Sequence, residues 1–321
     1  MADTSHVIGF DMGGTKMLAA VLDDEYRLQG RAKVRTPIGG SKSDMLSAMS
    51  DLIREALADA KVEAESVVAI GIAVPGPIDR AAGRVIQMPN VALNDYPLRD
   101  KLQDEVHIPV VLENDVNAGV YGEFVSGAAS GKRHVIGIFP GTGVGGGIVI
   151  DGRLYRGHTG SAGEFGHMIV DAGGRRCGCG KHGCLEAVAS KTAIAKELVH
   201  LALNGDAPTV LEKAGTDIAQ IKSSVIKKAM EADERAVIEV VERAAWYLGV
   251  GIGSLVDIFD PDVVVLGGGL VEKLGDDYLK PVRASMKQHS MINSDADLVA
   301  AALGDDSVIV GAAALARQEQ G

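Results

Sequence analysis

The sequence predicts an α/β protein whose core is built twice. Three observations carry this. Short apolar runs end in glycine turns, stretches of helical spacing separate them, and part of the pattern repeats at a fixed offset. Val7-Ile8-Gly9-Phe10 recurs 128 positions later as Val135-Ile136-Gly137-Ile138. At the same offset Gly13 meets Gly141, and Val21-Leu22-Asp23 meets Val149-Ile150-Asp151. Such a self-match indicates duplicated domain cores, and 321 residues fit two domains of roughly 100–200 residues each.

Val7–Asp11 reads as a strand ended by Met12-Gly13-Gly14, and Met17–Leu22 as its hairpin partner. Ser43–Ala60 places Met45, Met49, Leu52, Ile53, Ala56 and Leu57 on one helical face. Val67–Val74 is a buried-type strand stopped by Pro75-Gly76-Pro77, and Val110–Leu112 a short strand running into Glu113-Asn114-Asp115. Val135–Ile138 and the run up to Ile150 repeat the opening hairpin. Leu185–Asn204, Ile218–Ala232 and Arg235–Phe259 have helical spacing, the last stopped by Asp260-Pro261. Val263–Leu266 is a strand opening into Gly267-Gly268-Gly269, an echo of Val67–Gly76. Val308–Gln318 is an Ala-rich closing helix.

Lys plus Arg is 32 and Asp plus Glu is 43, giving a net charge of −11. That acidity argues against a nucleic-acid surface. No run approaches the 18 or so apolar residues of a membrane span, so no membrane partner is expected. The start, Met1-Ala2-Asp3-Thr4-Ser5-His6, lacks a basic and apolar leader, so a cytoplasmic location is expected. The 41 glycines are in excess and point to tight turns and close approach of backbone to ligand.

Asp11-Met12-Gly13-Gly14-Thr15-Lys16 is a first candidate site. A hairpin turn without bulky side chains lets N–H groups approach phosphate oxygens, Thr15 and Lys16 add donors, and Asp11 can hold Mg²⁺ through water. It is not a P-loop, because Gly-Thr-Lys here precedes a strand. Gly141-Thr142-Gly143-Val144-Gly145-Gly146 follows a strand but opens a second strand, which argues against a dinucleotide fold. Two phosphate hairpins, one per half, fit a triphosphate. Gly267-Gly268-Gly269 lies where a nucleoside can rest beyond a strand end. Glu113-Asn114-Asp115-Val116-Asn117 packs four polar groups at a strand-to-helix corner, one of them explicable as a helix cap; a carboxylate there can act as general base toward a hydroxyl.

Cys177, Cys179 and Cys184 lie in one glycine-rich loop. An odd cysteine count so clustered reads as a metal knuckle, three Cys and one His completing a tetrahedral zinc set. His167 and His182 compete for the fourth place. Glu164 and Glu186 flank this loop; held near each other they can bind vicinal hydroxyls.

Together these residues resemble the ROK family of sugar kinases and related repressors, within the actin/hexokinase-like ATPase superfamily. The match rests on Asp11-x-Gly-Gly-Thr-Lys16, Pro75-Gly-Pro-Ile-Asp79, Glu113-Asn-Asp-Val-Asn117, Thr142-Gly-Val-Gly-Gly-Gly147, Glu164-x-x-Gly-His167 and Cys177-x-Cys-Gly-x-x-Gly-Cys184-x-Glu186. The resemblance implies two duplicated ribonuclease H-like domains with a cleft between them. They would span 1–117, completed by 306–321, and 118–305, with a zinc loop at 167–186. It implies Asp115 as catalytic base and His167, Cys177, Cys179 and Cys184 as ligands of a structural Zn²⁺. A sugar site is implied from Asn90, Asn114, Asp115, Glu164, His167 and Glu186. ATP and Mg²⁺ would be served by Asp11, Gly13, Gly14, Thr15, Lys16, Gly141, Thr142, Gly143, Gly268 and Gly269.

A hexose kinase acting at the 6-hydroxyl, foremost on glucose, and a homodimer are the expectations that follow. The alternatives are an N-acetylmannosamine, N-acetylglucosamine or fructose kinase, or a sugar-sensing regulator without its own helix-turn-helix. Two positions depart from the family pattern. Lys191 replaces a residue that is often small, and Asn94-Asp95-Tyr96 stands where glucokinases of the group often carry Trp.

Overall fold

In the computed structural model, residues 5–88, 91, 93–291 and 296–320 are described. In chain order the elements are β1 (His6–Met12), β2 (Lys16–Leu22), β3 (Leu28–Arg35), α1 (Lys42–Ala60), β4 (Val67–Val74), β5 (Ile78–Asp79), β6 (Arg84–Val85), α2 (Leu98–Val106), β7 (Val110–Asn114) and α3 (Asp115–Ser126). There follow β8 (Val135–Pro140), β9 (Val144–Ile150), β10 (Arg153–Leu154), α4 (Glu186–Ala189), α5 (Lys191–Asn204), α6 (Pro208–Ala214), α7 (Ser223–Glu231) and α8 (Arg235–Phe259). The chain ends with β11 (Val263–Leu266), α9 (Gly269–Leu274), α10 (Asp276–His289), β12 (Asp297–Ala300) and α11 (Ser307–Gln320). Two compact units result: Met1–Gly131 with Gly152–Ala162 and Asp305–Gly321, and Lys132–Asp151 with Gly163–Gly304.

Both units carry the same sheet. In the first the order is β3-β2-β1-β4-β7; in the second β9, β8, β11 and β12 lie side by side in the corresponding order. β1 and β8 are each antiparallel to the next strand and parallel to β4 or β11. The repeat read from the sequence is therefore a repeat of topology, and the echo between Val67–Gly76 and Val263–Gly269 falls on equivalent strands.

Alternation along β1 divides its side chains between two faces. Ile8, Phe10 and Met12 enter a core with Met45, Met49, Leu52 and Ile53 of α1. Gly9 points the other way, toward α11, where a Cβ would lie 2.1 Å from the Ile309 carbonyl oxygen. Gly71 on β4 meets Ala312 in the same manner, at 1.9 Å. Gly311 on α11 and Gly122 on α3 remove the side chains that would separate these two helices: a Cβ on Gly311 would stand 1.7 Å from the Ala118 carbonyl oxygen. The closing helix thus sits directly on the backbone of β1, β4 and α3.

This packing moves the first boundary. The sequence reading ends the first domain at 117, but the unit continues to Gly131. α3 is fastened along its length to α11, and residues 152–162 also return to this unit. Other differences are local. β3, α2 and β12 are strands and a helix that the sequence reading leaves out. Leu185–Asn204 is two helices, broken at Ser190, whose extended backbone (φ −71°, ψ 156°) starts a helix instead of continuing one. Ile218–Ala232 opens as a 3-10 turn before α7. Among the described residues no helix is long and apolar enough to cross a membrane.

Overpacking of this kind costs about 1–3 kcal/mol, occasionally more. Gly311→Ala is therefore expected to lower the unfolding free energy of the first unit by that amount, read as a lower urea midpoint with little change in slope; an unaltered midpoint would mean that α11 is not seated so closely.

Candidate active site

In the first unit the candidate residues meet at the C-terminal ends of β1 and β7. Asp11 pairs across the sheet with Ala73 of β4, and Ala73 with Glu113 of β7. Asp115 lies just beyond, as the first residue of α3. Asn114 caps that helix, its Oδ1 accepting from the N–H groups of Val116 (3.0 Å) and Asn117 (3.1 Å). Its amide remains to donate to the Asp115 carboxylate. Asp115 Oδ1 also accepts from Val116 N–H at 2.9 Å.

Two carboxyls here are far from their ordinary behaviour. Burial pushes Asp115 up to about 6, against the opposing pull of its hydrogen bonds. Asp11 is likewise raised to about 6, first by burial and then by the negative charge of Asp115, with Lys16 opposing. Perturbed acids of this kind mark sites that handle protons or cations.

The glycine turn between β1 and β2 is braced by a residue that sequence reasoning missed. Thr36, buried at the end of β3, donates from Oγ1 to the Gly13 carbonyl (2.6 Å), and its N–H donates to the Thr15 carbonyl (3.1 Å). Its only signal was position after a strand that itself went unread. Lys16 at the turn's end forms an exposed ion pair with Asp305 at 2.9 Å.

In the second unit Gly141–Gly143 makes the corresponding turn. At Gly143 a Cβ would lie 2.3 Å from the Glu186 carboxylate, which accepts from Val144 N–H at 3.2 Å, so a side chain there would displace Glu186. Lys191, at the break between α4 and α5, donates its N–H to the Gly141 carbonyl at 2.9 Å. Gly268, with φ +88°, comes close to the Pro140 carbonyl, where a Cβ would stand 2.9 Å away. The turn, the start of α5 and the Gly267–Gly269 corner are thus joined. Thr142, Gly143 and Glu186 also wall a cavity of about 840 Å³. Across it, Glu197 pairs with Arg175 and Arg243, tying the cysteine loop to α5 and α8.

His167, Cys177, Cys179 and Cys184 come together, their donor atoms all within 4.8 Å of one another. Cys177 Sγ is 3.7 Å from His167 Nδ1, and the sulfurs of Cys179 and Cys184 are 3.7 Å apart. A tetrahedral ion with metal–sulfur bonds of about 2.3 Å and metal–nitrogen bonds of about 2.0–2.1 Å needs edges of about 3.5–3.8 Å, so the donor set fits. His182 turns aside, its Nδ1 lying 3.0 Å from the Gly174 carbonyl oxygen, and is not one of the four. Gly183, at φ +79°, brings the loop within reach: a Cβ there would meet the Asp171 carbonyl at 1.9 Å.

His167 serves two neighbours. Its Nδ1 faces the thiols, while Nε2 is 4.0 Å from the Glu164 carboxylate. Glu186 touches the same cluster, accepting from Cys177 Sγ at 3.5 Å. Glu164 thus lies beside His167, and Glu186 beside Cys177. Asn90 lies outside the described residues. The remaining candidates fall into two sets: Asp11, Gly13–Lys16, Asn114 and Asp115 in the first unit, and Gly141–Gly143, Glu164, His167, Glu186, Gly268 and Gly269 in the second.

The five-stranded sheet repeated in the same order in both units, and the solved structures it resembles, define a protein of the actin/hexokinase-like ATPase fold. The sequence matches the ROK family over residues 7–319, and the chain belongs to that family. It is 38% identical over 327 residues to the glucokinase of Streptomyces coelicolor, covering 97% of each chain. It is 30% identical over 326 residues to the xylose repressor of Caldicellulosiruptor bescii, covering 98% of this chain and 78% of the repressor. Its structure is similar to that of the ROK family glucokinase from Streptomyces griseus in complex with glucose and AMPPNP. There the TM-score is 0.82 and the identity 35%, with 98% of this chain and 100% of that one covered.

Because thiols must lose their protons to ligate, metal binding here should release protons. Burial pushes the Cys177 thiol up to about 12 without an ion. Elemental analysis of the purified protein is expected to find about one tetrahedral ion per chain. Cys184→Ser should lower it to background; full retention would remove Cys184 from the ligand set.

Proposed function

We propose that this protein is a sugar kinase that transfers the terminal phosphoryl group of ATP to the 6-hydroxyl of a hexose, foremost glucose. The observation that carries the proposal is Asp115. It is a carboxyl held at the head of α3, raised to about 6 by burial, with a relative at 38% identity that is a glucokinase. The fold supplies the rest of the chemistry as separate parts.

Asp115 accepts the proton of the attacking hydroxyl as its oxygen bonds to the terminal phosphorus and the bond to the β-phosphate oxygen breaks. A poised general base of this kind contributes about 10²–10⁴ in rate. Asn114 fixes the carboxylate by its amide. The turns at Gly13–Thr15 and Gly141–Gly143 offer N–H and hydroxyl donors to phosphate oxygens, and Lys16 offers a cation that leaves Asp305 for them. Such preorganised donors stabilise charge developing on the phosphoryl oxygens. Asp11 would hold Mg²⁺, which neutralises phosphate charge when bound. Glu164, His167 and Glu186 accept and donate to sugar hydroxyls. Zn²⁺ is the ion best suited to His167, Cys177, Cys179 and Cys184; its role is structural, since four protein ligands leave no open position.

The similarity to a xylose repressor favours a second reading, a sugar-sensing regulator. The two part on a simple measurement. A kinase consumes ATP on addition of sugar and is not retained on DNA at low salt, whereas a regulator binds sugar without turnover. In a panel of purified hexoses and N-acetylhexosamines, kcat/KM is expected to be highest for glucose. A higher value for N-acetylmannosamine, N-acetylglucosamine or fructose would move the substrate and leave the reaction.

Asp115→Asn is expected to keep the fold and sugar binding and to reduce kcat by roughly 10²–10⁴-fold. Retention of more than about a tenth of kcat would refute the role. The pH dependence follows from the sign of the shift. Below about pH 6 the carboxyl keeps its proton and cannot accept another, so kcat/KM should fall as pH drops through about 6. Glu186→Gln should chiefly raise KM for sugar, with KM for ATP little changed; equal losses for both would remove Glu186 from the sugar site.

A further inference from the structure

Glu113 is a feature that the function above leaves unused. It is an acid in the interior, 3% exposed, two residues before Asp115. Buried carboxylates persist only where their charge and lone pairs are met, and here both oxygens are engaged. Oε1 accepts from the N–H of Asn114 (3.0 Å) and the side-chain amide of Asn117 (3.1 Å). Oε2 accepts from Arg156 Nε at 2.7 Å and faces Arg80 Nε at 3.5 Å. Arg80 in turn pairs with Glu319 near the end of α11.

One carboxylate therefore holds four pieces of the first unit. These are the peptide leading into Asp115, the first turn of α3, the loop that follows Pro75-Gly76-Pro77, and the returning segment Gly152–Ala162. A carboxylate is suited to this because it accepts at both oxygens. The isosteric amide cannot. Either its NH₂ is turned against the arginines, or it is turned against the Asn114 N–H and the Asn117 amide.

We infer that Glu113 is a positioning residue for phosphoryl transfer, clamping the β7–α3 corner so that the Asp115 carboxylate is held where it can take the substrate proton. The inference rests on the reading of Asp115 as proton acceptor. It assigns Arg156 and Arg80 to the same clamp, as the cations paired with the Glu113 carboxylate. Glu113 touches no substrate in this role; it acts through Asp115. A displacement of the base by about 1 Å is enough to cost on the order of 10²-fold in rate.

The test is a double-mutant cycle of Glu113→Gln with Asp115→Asn, read as kcat and both KM values on the full chain, alongside thermal melting. Glu113→Gln alone is expected to lower kcat by roughly 10–100-fold with KM for sugar and for ATP within about threefold. In the Asp115→Asn background the same change is expected to alter the residual rate by less than about twofold, because the base it positions is gone. An unchanged kcat for the single variant, or an equal fractional loss in both backgrounds, overturns the inference and leaves Glu113 a purely structural acid. A fully active Asp115→Asn instead refutes the underlying reading, and the cycle distinguishes the two. If Glu113→Gln does not fold, Arg156→Lys, which keeps the charge but loses the planar donor, replaces it in the cycle. The same split in kcat and the same silence without Asp115 are then expected, and an additive loss overturns the inference.

Discussion

The first unit is organised around two acids that repel each other. Asp11 and Asp115 end neighbouring parts of one sheet, and both are forced toward neutrality by burial and, for Asp11, by the other's charge. Left to themselves such groups would move apart or take up protons. The backbone that carries them is packed closely on its far side. β1 and β4 are pressed against α11 at Gly9 and Gly71, and α3 against α11 at Gly122 and Gly311. The repulsion is a standing demand for a cation or a proton, which is what a site for Mg²⁺-bound phosphate and a reacting hydroxyl would supply.

The second unit solves a different problem with the same topology. Its turn at Gly141–Gly143 is backed by Glu186, and Glu186 reaches Cys177 as well as Val144 N–H. One side chain thus touches both the cysteine cluster and the turn. His167 likewise lies between Cys177 at Nδ1 and Glu164 at Nε2. Groups beside metal ligands orient those ligands and are oriented by them, and Glu186 and Glu164 stand in that relation to Cys177 and His167.

Duplication explains why two turns of related sequence are supported so differently. In the first, Thr36 braces the carbonyls of Gly13 and Thr15 and Lys16 is paired with Asp305. In the second, a carboxylate and the N–H of Lys191 do the bracing. Lys191 enters through its backbone, so a side chain larger than the family's usual one is accommodated there without disturbing the tie to Gly141. The strand order is shared, while the braces differ: Thr36 after β3 in the first unit, Glu186 and Lys191 after the cysteine loop in the second.

Much of this was written into the chain as local pattern. The paired hairpins, β4, α8 and β11, the cysteine spacing and the polar run after β7 are all readable, because glycine turns, apolar alternation and ligand spacing act over a few residues. The choice of His167 over His182 was different. Both lie within reach by spacing; the resemblance implies His167, and the turn of the loop sends His182 to the Gly174 carbonyl and leaves His167 with the three thiols. The same holds for Ser190, where helical spacing runs on but the backbone breaks to meet Gly141. It holds too for Thr36 and Arg156, whose roles depend on strands and segments far away in the chain. Glu113 shows the division most plainly: its position beside Asp115 is a fact of sequence, while its burial between Arg80 and Arg156 is created by chain segments 33 and 43 residues away. Short-range sterics and hydrogen bonding determine which elements form; which charges are buried, and against what, is determined only when distant segments close over them.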